Sequence, residues 1–246
     1  MEKEAVVVEG LTRRFGDYPA VRDIHFEVLR GEIFGLLGPN GAGKTTTIRM
    51  LATVLTPDSG TARINGCDIR ERKQEVRAAL GVLTTFVGLY ERLTARENLE
   101  YFARLYGLRG RDLESSVDNI LAVLEAEDFQ HKKASELSTG MRQKIALARS
   151  VVHDPPVIIL DEPTLGLDVL ASETVRGYMA GARRRGRTLI LSTHDMHMAQ
   201  ELCERAAILH RGEILAVDAP GSIISDQGAA DLEKAFIKLV EGKRAG

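Results

Sequence analysis

The sequence is short of several things, and each shortage excludes a class. Only two cysteines occur in 246 residues, Cys67 and Cys203, far apart and in no metal-ligand spacing. A disulfide scaffold is excluded, and a reducing compartment is implied. No uninterrupted apolar stretch reaches the roughly 18 residues that a membrane-spanning helix needs. The opening MEKEAVVVEG is acidic, and its apolar run of four residues is too short for a signal peptide. The expectation is a cytosolic protein that, for any work at a membrane, borrows the helices of another chain. Charge of one sign is also lacking: the formal net charge is −2. No basic field would draw in nucleic acid, so no nucleic-acid partner is expected. The densest basic patch, Arg183-Arg184-Arg185-Gly186-Arg187, reads as a solvated helix end before a strand. There is no internal repeat and no low-complexity segment.

What is present is ordinary globular material, 44% hydrophobic and 28% charged. The first third reads as short strands at Ala5–Glu9, Ile24–Val28, Glu32–Leu37 and Thr61–Ile64, parted by Gly and Asp/Asn turns. Ile33–Leu37 is almost wholly apolar, which suits a strand buried on both faces of a mainly parallel sheet. A helix is predicted from Gly43 to about Leu55, ending before Pro57. The middle third turns helical. Thr94-Ala95-Arg96-Glu97 is a capping box, and Leu99, Phe102, Ala103 and Tyr106 follow at i, i+3, i+4 and i+7. A second amphipathic helix is predicted from about Leu113 to Glu125, and a third opens at Ser138. The last third alternates: strand Val157–Leu160, helix Val169–Arg184, strand Thr188–Ser192, helix Met196–Glu204, then strands Ala206–His210 and Glu213–Val217. Such alternation implies βαβ units. The tail from Ala219 ends in a helix with Leu232, Ala235, Phe236 and Leu239 on one face, able to pack on the core or meet a partner.

Two segments carry chemistry. Gly38-Pro39-Asn40-Gly41-Ala42-Gly43-Lys44-Thr45, followed by Thr46, fits GxxxxGK[ST] between an apolar strand and a helix. The glycines let backbone N–H groups curl round phosphate oxygens, Lys44 would reach the β- and γ-phosphates, and Thr45 would hold Mg2+. Val157–Leu160 runs into Asp161 and Glu162, at the strand end that faces the ligand crevice of an open parallel sheet. Asp161 is the second Mg2+ candidate, and Glu162 is placed to polarise an attacking water. His194, just past Ser192-Thr193, can donate to a γ-phosphate. His25, His131, His153, His197 and His210 have no such context and read as surface or packed side chains. A further polar helix start, Leu137-Ser138-Thr139-Gly140-Met141, is a second place for an anion to sit.

This set resembles the nucleotide-binding domain of ATP-binding cassette (ABC) proteins, from Phe15 to about Val217. Leu137–Met141 stands where that family has LSGGQ, Pro163–Asp168 matches its D-loop, and Thr193-His194-Asp195 its switch histidine. The resemblance implies an α/β fold: a RecA-like P-loop NTPase core with a mainly parallel sheet, an N-terminal antiparallel β subdomain and an inserted helical subdomain. The ATPase domain would span 1–218, with helical residues at about 86–156, and 219–246 would form a short helical tail. The resemblance further implies ATP with Mg2+, and an adenine stacked on Phe15, with Tyr18 as a nearby rival. It implies a head-to-tail homodimer in which Ser138, Thr139, Gly140 and Met141 of one copy cap the γ-phosphate held by the other, with Asp168 in the D-loop between them. Catalysis would rest on Lys44, Glu162 and His194.

Two departures from the pattern stand out. Thr139 and Met141 replace the usual glycine and glutamine of the signature. Thr85 aligns with a glutamine that ordinarily helps bind nucleotide and Mg2+ between sheet and helices, so Thr85 is expected to reach Mg2+ through a water. These departures, with STGMRQK and LYERLTARENLEYF, are similar to ATP-binding subunits of type-2 ABC exporters, above all sodium-extruding systems. The resulting expectation is an exporter ATPase that is peripheral on the inner face of the cell membrane. It would bind separate transmembrane permease subunits in a groove near Thr85–Arg92. The alternatives are a soluble single-cassette ATPase acting on an assembly or scaffold, and a P-loop kinase of small molecules, which would have no need of Ser138–Met141.

Overall fold

The computed structural model describes residues 3–84 and 88–245. The chain opens with two long strands, β1 (Glu4–Phe15) and β2 (Tyr18–Leu29), then β3 (Ile33–Leu37) and helix α1 (Lys44–Leu51). Next come β4 (Ser59–Ile64), β5 (Cys67–Asp68), α2 (Lys73–Ala79) and β6 (Leu80–Leu83). Three helices follow: α3 (Ala95–Leu105), α4 (Gly110–Val123) and α5 (Thr139–Val151). The remainder alternates through β7 (Val157–Asp161), α6 (Val169–Arg184), β8 (Thr188–Thr193), α7 (Met196–Leu202), β9 (Arg205–His210) and β10 (Glu213–Asp218). It closes with α8 (Pro220–Asp226) and α9 (Leu232–Ala245).

Two sheets result. An antiparallel sheet has the order β2-β1-β4-β5, and a six-stranded sheet the order β10-β9-β3-β8-β7-β6. All pairings in the second are parallel except β10 with β9. Every residue of β3, β7 and β8 is buried, as their apolar runs require of strands covered on both faces. One face packs on the antiparallel sheet and α1, where Phe26 stacks on Phe34 at 5.3 Å. The other face packs on α3–α7. Ile223, Leu232 and Ala235 belong to that second core, so the tail lies on the core.

The register sets the site. Leu37 lies opposite Thr193, and Asp161 opposite Ser192. The ends of three adjacent parallel strands therefore align, and whatever follows each strand emerges at one edge.

Several boundaries differ from expectation. The helix predicted to run to Leu55 stops at Leu51: Thr53 turns left-handed (φ +59°), and Val54 and Leu55 both donate back to the Arg49 carbonyl. β1 continues past Glu9 to Phe15 and turns into β2 through Gly16 at φ +59°. β5, α2, β6 and α8 had no counterpart in the sequence reading. The Thr94 capping box forms as expected, with Thr94 Oγ1 accepting from the Glu97 amide at 3.1 Å and Glu97 Oε2 from the Thr94 amide at 2.8 Å. Tyr106, expected on the apolar stripe, is 43% exposed and stacks its ring on His153.

Candidate functional site

The loop from Gly38 to Thr46 leaves the end of β3 and feeds α1. Gly38 sits at φ +153°, and a Cβ there would lie 2.1 Å from the Leu209 carbonyl oxygen. Gly43, at φ +110°, would place its Cβ 2.6 Å from the Ala20 carbonyl. Glycine is required at both positions by backbone packed directly behind the loop. The first turn of α1 begins here, and a helix leaves the amides of its first turn without intrahelical partners, which suits an anion. A cleft of about 360 Å³ opens there, lined by Phe15, Tyr18, Glu162, Leu165 and the loop residues Pro39 to Thr46. Phe15 and Tyr18 face each other across the hairpin turn, 49% and 58% exposed, so both expected stacking partners stand at the mouth of the cleft.

The charged groups form one chain of contacts. Lys44, 5% exposed, donates from Nζ to the carbonyls of Gly38 at 2.6 Å and Pro39 at 3.3 Å. Its ammonium lies 3.5 Å from Glu162 Oε1. That same oxygen is 3.0 Å from His194 Nδ1, and Thr193 Oγ1 donates to Glu162 Oε2 at 3.4 Å. Glu162 takes up φ +51°, a strained conformation for a side-chain-bearing residue, held by its amide donating to the Ser192 carbonyl at 2.9 Å. With Nδ1–H donating to Glu162, a neutral His194 offers only a lone pair at Nε2. Donation to a phosphate oxygen from Nε2 requires the imidazolium or a break from Glu162.

Asp161 is fully buried at the end of β7. Thr45 Oγ1 donates to its Oδ2 at 3.0 Å and Ser192 Oγ to its Oδ1 at 2.8 Å. Thr85, the other expected metal contact, lies outside the described residues.

The second helix start is elsewhere. Ser138 caps α5, its hydroxyl accepting from the Met141 amide at 3.3 Å, and no acidic residue stands in the first turn. Gly140 faces Ala171, where an added Cβ would come within 3.2 Å of the Ala171 methyl. Ser138, Thr139, Gly140 and Met141 do not line the cleft of Lys44. The first turn of α6 is close by, capped by Asp168, which accepts from the Ala171 amide at 2.8 Å. On that turn Val169 and Leu170 are 78% and 81% exposed, while Leu165, 54% exposed, lines the cleft of Lys44.

The ABC transporter family model matches residues 21–165, which include the phosphate loop, the helix start at Ser138 and the Asp161–Glu162 strand end. The chain belongs to the ABC transporter family. As an ABC chain it is 38% identical over 243 residues to the ABC transporter ATP-binding protein NatA of Bacillus subtilis, a match covering 96% of this chain and 99% of that one. It is also 38% identical to the Nod factor export ATP-binding protein I of Paraburkholderia xenovorans, over 96% of this chain and 78% of the relative. Among solved structures, an ATP-binding subunit of an ABC transporter superposes with a TM-score of 0.89 at 31% identity, over 96% of this chain and 99% of that one. A dimeric ATP-binding cassette in a post-hydrolysis state with ADP and Pi superposes with a TM-score of 0.79 at 25% identity, over 87% and 98%. The ABC fold expected from the sequence is therefore shown, and the chain is an ATP-binding ATPase of that family.

Three groups at the site were not singled out in the sequence. Ser192 orders Asp161. Leu209 backs the phosphate loop. Gln143, 9% exposed, donates from Nε2 to the Pro163 carbonyl at 3.1 Å and ties α5 to the segment after Glu162. Ser192 has no signal in the sequence, because its role comes from lying opposite Asp161 in a neighbouring parallel strand. Gln143 is the only amide side chain in the first two turns of α5.

Proposed function

We propose that this ATPase is the energising subunit of a membrane exporter, and that two copies close head to tail on two ATP molecules. In this reading the amides of Gly38 to Thr46 and the Lys44 ammonium hold the β- and γ-phosphates, and Phe15 or Tyr18 stacks on adenine. Glu162 polarises the attacking water and His194 contacts the γ-phosphate. Ser138, Thr139, Gly140 and Met141 complete the site of the opposite copy, with the D-loop residue Asp168 between them. Thr45 and Asp161 fit Mg2+, because a hydroxyl and a buried carboxylate already lie within a hydrogen bond of each other. Bound there, the cation would neutralise phosphate charge. The departures at Thr139 and Met141 leave the Ser138 hydroxyl and the Gly140 amide in place.

One observation carries the dimer. Lys44 and Glu162 line one cleft and His194 bonds to Glu162 at its edge, while the Ser138 helix start stands apart from it, packed through Gly140 on the first turn of α6, where Val169 and Leu170 are exposed. A single copy thus presents two unlike halves of a site, and apolar side chains that a second copy would cover. A groove of about 820 Å³ between α1 and α3 is lined by Val54, Phe102, Tyr106 and three arginines, Arg49, Arg77 and Arg149. No carboxylate pairs with these arginines among the described residues. This groove is the proposed seat of the permease's cytoplasmic segment.

The Nod factor relative is an exporter subunit by its name, which supports export, and the resemblance to sodium-extruding systems supports Na+ as cargo. No helix among the described residues is long and apolar enough to cross a membrane, which fits a peripheral subunit borrowing a separate permease. Affinity purification of the tagged chain from detergent-solubilised native cells should recover a polytopic membrane protein in near-equal amount. Recovery of soluble proteins alone would favour the assembly or scaffold ATPase.

A further inference from the structure

The segment after β10 contributes nothing to the proposed catalytic set, yet it closes on it. A cleft of about 430 Å³ beside the phosphate loop is lined by Gly38, Pro39, Asn40, His194, and Glu233 and Phe236 of α9. α9 reaches both walls of the ATP site. On one side, Leu232 and Ala235 are fully buried in the core that also holds Met196, Met198 and Ala199 of α7, and Gln200 Oε1 of α7 accepts from the Leu232 amide at 3.3 Å. α7 is a short helix whose capping residue, Asp195, directly follows His194. On the other side, the Phe236 ring meets His210 edge-on at 6.2 Å. His210 ends β9 and adjoins Leu209, whose carbonyl stands behind Gly38. The middle and the end of α9 are pinned as well: Lys238 Nζ donates to the carbonyls of Gln227 and Gly228, both at 2.8 Å, and Lys243 pairs with Glu213 of β10.

His194 needs such support. Its side chain is 48% exposed, and among the described residues its one polar side-chain contact is to Glu162. Where its ring sits therefore depends on the placement of β8 and α7. We infer that α9 is a brace for the switch histidine: Phe236 and the Gln200–Leu232 link are positioning residues that set the rate of hydrolysis. The inference rests on hydrolysis taking place at the Lys44–Glu162–His194 site. Small displacements of reacting groups reduce rate steeply while leaving nucleotide held by the phosphate loop, so the effect belongs in kcat.

The test uses the full chain, measuring phosphate release, binding of a fluorescent ATP analogue and thermal unfolding. Phe236→Ala should lower kcat about tenfold with the analogue's Kd changed less than about twofold, and Phe236→Leu should recover most of the rate. Gln200→Ala, an exposed and mild change, should act in the same direction. The decisive readout is the cycle with His194→Ala: in that background Phe236→Ala and Gln200→Ala should cost almost nothing further, because the group they position is gone. An unchanged kcat, a parallel loss of kcat and affinity, or full additivity with His194→Ala would each overturn the brace. If Phe236→Ala does not fold, the Gln200→Ala cycle decides alone. A wild-type chain that hydrolyses no ATP would overturn the site reading and the brace together. A wild-type chain that hydrolyses ATP with an additive cycle would overturn only the brace.

Discussion

In the proposed function, Glu162 is the residue on which most of the chemistry turns. Its carboxylate lies between the Lys44 ammonium and the His194 ring, at a strained backbone position that keeps it facing the cleft. Glu162→Gln keeps shape and removes charge. Phosphate release should fall by about 10² or more while ATP still binds, because the proposed base is lost and the phosphate cradle is not. Light scattering at saturating MgATP should then show a trapped dimer; a variant that stays monomeric would refute ATP-driven closure of the isolated chain. Ser192→Ala makes the opposite separation. It removes one of the two hydroxyls on a fully buried carboxylate, so stability should fall by about 1–2 kcal/mol and Tm by a few degrees. Lys44, Asp161, Glu162 and His194 could all be read from the sequence, because strand-end carboxylates and a glycine loop announce themselves by type and spacing. Ser192 could not, since a serine inside an apolar strand gains meaning only once parallel register sets it beside Asp161.

At the scale of elements, legibility followed burial. β3, β7 and β8 stood out as apolar runs because both faces are covered. α2 buries only Val76 of its seven residues, and β6 is four residues long, so neither has a period to detect. The join between β6 and the helical region also carries a pH signature. His153 stacks on Tyr106 of the loop after α3, and its Nε2–H donates to the Leu80 carbonyl of β6 at 3.1 Å. Burial pushes its pKa down to about 4, against the opposing pull of the Leu80 bond and Asp154. The unfolded chain, with a histidine near 6.5, binds the proton more readily than the folded one between those values. The contribution is thus fully present above about 6.5 and is lost progressively as pH falls toward 4. His153→Phe keeps the stack and removes the proton site. Its Tm should fall less steeply than the wild type's between pH 6.5 and 4, and parallel curves would refute the assignment.

For the whole molecule, the question is whether one copy holds a complete site. The chain offers two candidate anion sites at helix starts, one at Lys44 and one at Ser138, and the second does not line the cleft of the first. Lys44→Ala removes the ammonium from a copy's own cradle. Ser138→Glu sets a carboxylate against whatever phosphate that helix start meets. Each variant alone should be inactive if both groups serve every site. Mixed in equal amounts, they distinguish the geometries. In a head-to-tail dimer, the intact Lys44 of the second variant meets the intact Ser138 of the first, giving one whole site per mixed pair. Random pairing makes half of all dimers mixed, so about a quarter of wild-type activity should return. If Lys44 and Ser138 of the same copy served one site, every site in the mixture would carry a lesion and nothing would return. Recovery on mixing would thus assign the Ser138 helix start to the opposite copy's phosphate, and explain why one chain carries two anion-facing helix starts.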